Sequence, residues 1–329
     1  LNDIPDNHRP YMIEFAQEHF SRKRFRSAPA KQHLYDLAIL VNPDQKEPPS
    51  NKKAIQQFIE TGKSMGFDVE LITKDDYGKI PEYDALFIRE TTAVNHYTYR
   101  FSRMALTEGL IVIDDPVSIL KCTNKVFLAE LLYKAKVPIP KTVIAHQKNV
   151  KTIEERLGMP CILKQPDSSF SQGVFKVDTP KMLKNALKEL LKSSDLVIAQ
   201  EFIPTSFDWR IGILNKVPLY ACKYYMAKNH WQIYNWSEMK RNDCLGDVDT
   251  LAIEDVDAMV VKTALKAANL IGDGFYGVDL KQIGNKVIVI EVNDNPSIDY
   301  GIEDAVLKEN LYRTIMNYFL DRIRKRYNH

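Results

Sequence analysis

The stretch VIVIEVNDNPSID (287–299) sets an acid, Glu291, and an amide, Asn293, into what is otherwise an apolar strand. Residues two apart on a strand share a face, so regular alternation groups Glu291 and Asn293 with Val287 and Val289, leaving Ile288, Ile290 and Val292 on the other side. The preceding strand carries Asp279 in GVDLK, joined through an Ile-Gly-Asn-Lys turn. A two-residue loop, Gly284-Asn285, would pair Asp279 with Ile290; a three-residue loop, Gly284 to Lys286, would set it opposite Glu291, and that loop is the expectation. Facing carboxylates repel unless a cation sits between them. Asp279, Glu291 and Asn293 offer only oxygens, the donor set that suits a Mg2+ ion which keeps waters and bridges phosphates, and Asn295 in the Asn-Asp-Asn-Pro exit falls beside them.

Magnesium with phosphate calls for cations and N–H donors on the other side. Lys125 stands in the first turn of a helix expected from Asn124 to Lys136 and capped by Thr123. The helix dipole disfavours a positive charge there, so the placement asks for a function. Lys164 lies in the apolar strand CILKQ (161–165), which runs into the small polar loop Pro166–Gly173, able to fold over phosphates through backbone N–H groups. AQEFIP (199–204) ends a buried strand in Gln200-Glu201-Phe202-Ile203, a linker that could give a purine backbone hydrogen bonds and an apolar wall. Arg210 and Lys223, on successive strands, are further candidates for anion contact.

Elements must hold these groups in place. The run 1–33 is polar and basic, with a short helix expected from Pro10 to Phe25. Between 34 and 115, strands at 36–41, 68–73, 84–90 and 110–114 alternate with helices at 51–66 and 97–109, the pattern of a small doubly wound α/β domain with a parallel sheet. Asp115-Pro116 is read as its boundary. A compact α+β unit follows over 116–195, with strands at 161–165 and 174–177 and an amphipathic helix at 180–194. The last unit, 196–329, carries strands at 196–203, 208–214, 218–226, 275–283 and 286–293, a helix over 255–270 and a closing helix to about 326.

Forty-five basic against 43 acidic residues leave a formal charge of +2, so no single-signed field demands nucleic acid or anionic lipid. Four scattered cysteines without a CxxC pair fit a reducing cytosol, and no apolar run is long enough for a membrane span; the expectation is a cytoplasmic protein with no membrane partner. Two motif matches carry no chemistry. Gly272-x-Gly274-x-x-Gly277 has its helix before it and its strand after, the reverse of a dinucleotide site, and Gly62-Lys63-Ser64 has Gln57 where a phosphate loop needs its first glycine.

In order along 116–325, Lys125 ahead of VPIPKT, ILKQPDSSFSQGVFKV, QEFIP, DWR, Lys223, GVDL and EVNDNPSID resemble the ATP-grasp superfamily, and within it the RimK-like branch of amino-acid ligases close to glutathione synthetase. The resemblance implies the ATP-grasp fold, two α+β subdomains gripping ATP, behind a small doubly wound domain. It implies that Lys125, Lys164, Ser171, Gly173 and Asp208 bind ATP with Gln200, Glu201, Phe202 and Ile203 around adenine, and that Asp279, Glu291 and Asn293 hold magnesium, two ions with Mn2+ as a substitute. It further implies that Arg210 and Lys223 are catalytic, facing the transferred groups, and that Arg89 in FIRETT suits a substrate carboxylate, with Asn295 also on the substrate side. The serine-rich loop after Lys164 departs from glycine-rich relatives, and NHWQIYNWSEMKRNDCLG (229–246) replaces an acceptor-side pattern, leaving Lys240, Arg241 and Asn242 as substitutes.

The implied activity is an ATP-dependent carboxylate–amine ligase working through an acyl phosphate, adding an amino acid such as glutamate to an amino acid, peptide or protein terminus. A homo-oligomer is compatible with the sequence. A small-molecule kinase on the same scaffold, or a nucleotide-binding module without catalysis, are the alternatives.

Overall fold

The computed structural model describes residues 5, 7–21, 34–146, 149–166, 173–228, 230–233 and 246–327. After helix α1 (Arg9–Ser21), strands β1 (Tyr35–Leu40), β2 (Phe67–Ile72), β3 (Ala85–Ile88) and β4 (Ile111–Ile113) form a parallel sheet in the order β2-β1-β3-β4. The inner strands carry the apolar runs Leu37–Leu40 and Ala85–Ile88 because helices cover both faces, while the edge strand β2 alternates buried and exposed residues at its start. Helix α2 (Lys52–Ser64), capped by Asn51, lies on one side and α3 (Tyr97–Thr107) on the other.

Asp115 accepts from the Val117 and Ser118 N–H groups at 2.9 and 3.1 Å, and Pro116 opens helix α4 (Pro116–Thr123), an N-cap with proline in the first turn and a helix not expected from the sequence. Helix α5 (Lys125–Lys134) follows at once. Its cap is Asn124, whose side chain accepts from Phe127 N at 3.0 Å, whereas Thr123 belongs to the preceding helix and donates to the Ile119 carbonyl.

A second, antiparallel sheet combines β5 (Thr142–Ala145), β6 (Cys161–Lys164), β7 (Val174–Val177) and β8 (Val197–Glu201) in the order β5-β8-β6-β7, packed on α6 (Val150–Leu157) and α7 (Pro180–Ser193). Because β8 pairs inside this sheet, the division expected at 195 falls after β8 instead.

The third sheet is antiparallel, β11-β10-β9-β12-β13, built from β9 (Phe207–Leu214), β10 (Val217–Tyr225), β11 (Val248–Leu251), β12 (Phe275–Ile283) and β13 (Lys286–Asn293). One face, with Trp209, Ile211, Val278 and Leu280, buries against α8 (Ala258–Ile271) and α5. On the other face Tyr220, Cys222 and Phe275 join a core with α2 and the closing helix α9 (Glu309–Tyr327). That second face is apolar at one end only.

The β12–β13 hairpin overturns the expected loop while keeping the expected pairing. Ile283 pairs with Lys286, so the loop is the two residues Gly284-Asn285, with Gly284 at φ +55°. Asp279 still faces Glu291, because the register shifts by one residue between Leu280↔Val289 and Asp279↔Glu291. The extra residue is Ile290, a β-bulge. It also breaks the alternation: Val287, Val289 and Val292 share the core face, and Glu291 and Asn293 turn to the opposite one.

Candidate active site

At its polar end, the second face of the third sheet presents Asp208 and Arg210 from β9, Asp279 and Lys281 from β12, and Glu291 and Asn293 from β13. The register sets Arg210 and Glu291 on either side of Asp279. The face looks across a cavity of about 150 Å3 to Lys164 at the end of β6 and to Gln200–Ile203 at the end of β8, with Lys125 on its wall. Gly277 makes the arrangement possible, since a Cβ there would meet Pro296 at 2.7 Å and push away the loop that follows Asn293.

Each carboxylate on this face meets a cation. Arg210 grips Asp279 through two parallel hydrogen bonds, Nε to Oδ1 at 2.7 Å and Nη2 to Oδ2 at 2.9 Å. Lys125 donates to Glu291 Oε1 at 2.5 Å, and Lys281 to Asp208 Oδ1 at 2.5 Å. Asn293 Nδ2 donates to Asp279 Oδ2 at 3.1 Å and to the Gly277 carbonyl at 3.3 Å.

Lys125, Lys164, Arg210 and Lys281 stand against Glu201, Asp208, Asp279 and Glu291, four cations for four carboxylates, with Lys164 outside the three close ion pairs of the sheet face. Burial lowers the Lys164 amine to about 8, against the pull of Glu291 and with Lys125 and Lys281 lowering it further. Burial by itself would raise Glu291, but Lys125 and Lys164 outweigh it and hold the carboxyl below its ordinary range. Asp208 is raised by burial, against the opposing effect of Lys281 and Thr205.

The chemistry of the donor set is the one magnesium takes: Asp279, Glu291 and Asn293 bring hard oxygens from two adjacent strands to one face. Two carboxylates and an amide leave coordination positions for water and phosphate, as Mg2+ prefers.

The linker residues are placed as a wall. Gln200 donates its side-chain amide to Thr142 at 3.1 Å, Glu201 accepts from the Lys141 N–H at 2.9 Å, and both residues line the cavity. Phe202 and Ile203 line the cavity, and Trp231 meets Phe202 edge-on at 6.0 Å. Trp231 and Lys281 went unnoticed in the sequence. Lys281 had a signal, standing two residues past Asp279 on the same strand face; Trp231 sits in a polar stretch that matched no pattern. Gly173 closes the base of the loop after Lys164, its carbonyl accepting from Gln165 N at 3.2 Å. Ser171, Lys240, Arg241 and Asn242 lie outside the described residues.

Three expected site residues stand elsewhere. Lys223 pairs with Trp209 and so projects from the core face of the sheet, its amine 5.0 Å from the rings of both Phe207 and Trp209, which removes it from the cavity. Arg89 is buried at 1% exposure and gives its donors to Ser50, to the Pro49 and Pro296 carbonyls and to Asn295 Oδ1, leaving it no role with a substrate carboxylate. Asn295 completes that junction by donating to the Glu90 carbonyl. Both residues fasten the first sheet to the loop that follows β13.

Residues 122–318 match the RimK-like ATP-grasp domain. The alpha-aminoadipate–LysW ligase LysX of Saccharolobus solfataricus is 28% identical over 255 residues, 73% of this chain and 88% of the relative. A probable alpha-L-glutamate ligase of Shewanella loihica is 26% identical over 278 residues, 79% of this chain and 89% of its own length. Among solved structures, a D-alanine–D-alanine ligase from Bacillus anthracis superimposes with a TM-score of 0.68 at 16% identity, covering 89% of this chain and 99% of that one. A RimK domain ATP-grasp protein from Sphaerobacter thermophilus does so with a TM-score of 0.65 at 14% identity, covering 86% and 98%; at such identities the likeness is one of fold. With more than half of its residues matching that domain, the chain belongs to the RimK-like ATP-grasp family.

Proposed function

We propose that this ATP-grasp ligase converts a carboxylate into an acyl phosphate and joins it to an amine, with an amino acid such as glutamate as one partner and an amino acid, peptide or protein terminus as the other. A carboxylate oxygen attacks the γ-phosphorus of ATP, the bond to the β–γ bridging oxygen breaks, and ADP leaves. The amine nitrogen then attacks the acyl carbon, inorganic phosphate departs with the C–O electron pair, and the ammonium proton passes to phosphate or solvent.

The observation that carries this reading is the cavity itself: three cation–carboxylate pairs along one sheet face with Lys164 across from them on the other sheet. Lys125 and Lys164 would neutralise phosphate oxygens, and Arg210 would stabilise charge on the group in transfer, positioning and electrostatics being most of what phosphoryl transfer asks of a protein. Asp279, Glu291 and Asn293 would hold Mg2+, which supplies charge neutralisation between phosphate oxygens. Phe202, Ile203 and Trp231 form an apolar wall of the kind a purine ring can stack on. An acyl phosphate hydrolyses in water, so closure of the second sheet over the third would protect it.

Incubation with ATP, Mg2+ and pooled amino acids, with and without hydroxylamine, tests the proposal by ADP release and mass spectrometry. ADP with a new amide, or with a hydroxamate when hydroxylamine is present, is the expected result. Phosphate transfer to a hydroxyl, or no ADP above an Asp279→Asn control, would overturn it.

A further inference from the structure

Lys281 has no role in the scheme above, yet it lines the cavity. Leu280 pairs with Trp209, which sets Lys281 beside Asp208 on the site face. Its amine donates to Asp208 Oδ1 at 2.5 Å and to Thr205 Oγ1 at 2.7 Å, while Thr205 donates to the same carboxylate oxygen at 2.9 Å. The two charged side chains are only 13% and 23% exposed.

An ion pair this far from water loses most of its attraction to desolvation, so stability alone gives little reason to prefer it over two apolar side chains. A ligand gives a better one. Lys281–Asp208 is one of a row of cation–carboxylate pairs along this sheet face, with Arg210–Asp279 and Lys125–Glu291. In those two pairs, on the ATP reading, the acid would hold the metal and the cation an anion, each offsetting the other's charge. Asp208 is a hydrogen-bond acceptor on the cavity wall, and the hydroxyl groups of a nucleotide are donors. The ammonium of Lys281 is a compact charge on a flexible stem, able to exchange a carboxylate for a phosphate oxygen with a modest swing. It also stands close enough to Lys164 to affect its protonation.

We propose, resting on the ATP reading, that Lys281 is a phosphate-binding residue of the nucleotide site, held by Asp208 until the ribose hydroxyls take over that carboxylate and the freed amine turns to the phosphates. The exchange makes the sugar and phosphate contacts interdependent: Asp208 is available to ribose only when Lys281 has another anion to neutralise.

Calorimetric titration of the full chain with Mg–ATP and, separately, with adenosine tests this in wild type and in Lys281→Met, with thermal unfolding of each variant alongside. Loss of a charged hydrogen bond to phosphate should weaken Mg–ATP about ten- to a hundredfold. Adenosine should bind Lys281→Met as well as wild type or better, because Asp208 no longer has to release a lysine. Equal losses for both ligands would make Lys281 a mere prop for Asp208, and unchanged Mg–ATP affinity would remove it from the site; either overturns the proposal. Lys281→Gln, which keeps a donor for Asp208 without the charge, should give the same split and serves if the methionine variant does not fold; if neither folds, Lys281 is structural and the proposal fails. Wild type that binds no Mg–ATP would instead sink the nucleotide reading itself.

Discussion

Lys164 shows how burial can turn a side chain into a proton-linked ligand sensor. Its amine titrates at about 8 in the folded protein instead of 10.5, so between those limits the unfolded chain binds more protons. The residue therefore costs stability below pH 8, and the cost fades as pH climbs from about 8 toward 10.5. A bound phosphate favours the charged amine. Mg–ATP binding at about pH 9 should accordingly take up close to one proton, and Lys164→Met should abolish the uptake; calorimetry in buffers of different ionisation enthalpy reads both. Lys223 makes the opposite case. Lodged against Phe207 and Trp209 on the core face, it should on replacement by Met change stability by about 1 kcal/mol and leave the KM for ATP as it was. A KM raised tenfold would return it to the nucleotide site.

At the scale of elements, two short features aim the chemistry. Asn124 both ends α4 and caps α5, so Lys125 starts its helix at the cavity wall and reaches Glu291. Asn124→Ala should lower stability by about 1 kcal/mol in urea unfolding, with a parallel rise in the KM for ATP because the first turn carrying Lys125 frays. The bulge at Ile290 is the second feature. Hydrophobic alternation located β13 to the residue but assigned Glu291 to the same side as Val287 and Val289, and the pair Asp279–Glu291, expected from a three-residue loop, exists because of the bulge instead. A bulge depends on how two strands settle against each other and against the core, and a single strand's pattern does not contain it. Helix α4 was lost for a different reason: Asp-Pro serves equally as a turn and as a helix start, and only the packing of Ile119 and Cys122 into two cores distinguishes them.

Across the whole molecule, a buried guanidinium stands at the centre of the junction between the first sheet and the loop after β13. Arg89 ties Ser50 and the Pro49 carbonyl to Asn295 and the Pro296 carbonyl, and burial lowers it to about 10. Arg89→Met strands several buried acceptors at once and should cost about 2–5 kcal/mol in chemical unfolding. A variant of wild-type stability with a raised KM for an amino-acid substrate would restore the substrate role that FIRETT suggested.

What the sequence determined by itself was chemistry carried by short local runs: the oxygen donors of GVDLK and EVNDN, the lysines at a helix start and a strand end, and the periodicities that made strands and helices of the segments holding them. Side-chain type and local spacing suffice for these, because each is a property of a few consecutive residues. Only the tertiary structure decided which basic residues share the site. Lys223 and Lys281 stand alike on strands of the same sheet, and a one-residue difference in register puts the first among aromatic rings and the second over the cavity. It likewise decided that Arg89 faces other parts of the chain, since whether a buried donor meets a ligand or a carbonyl depends on residues more than two hundred positions away.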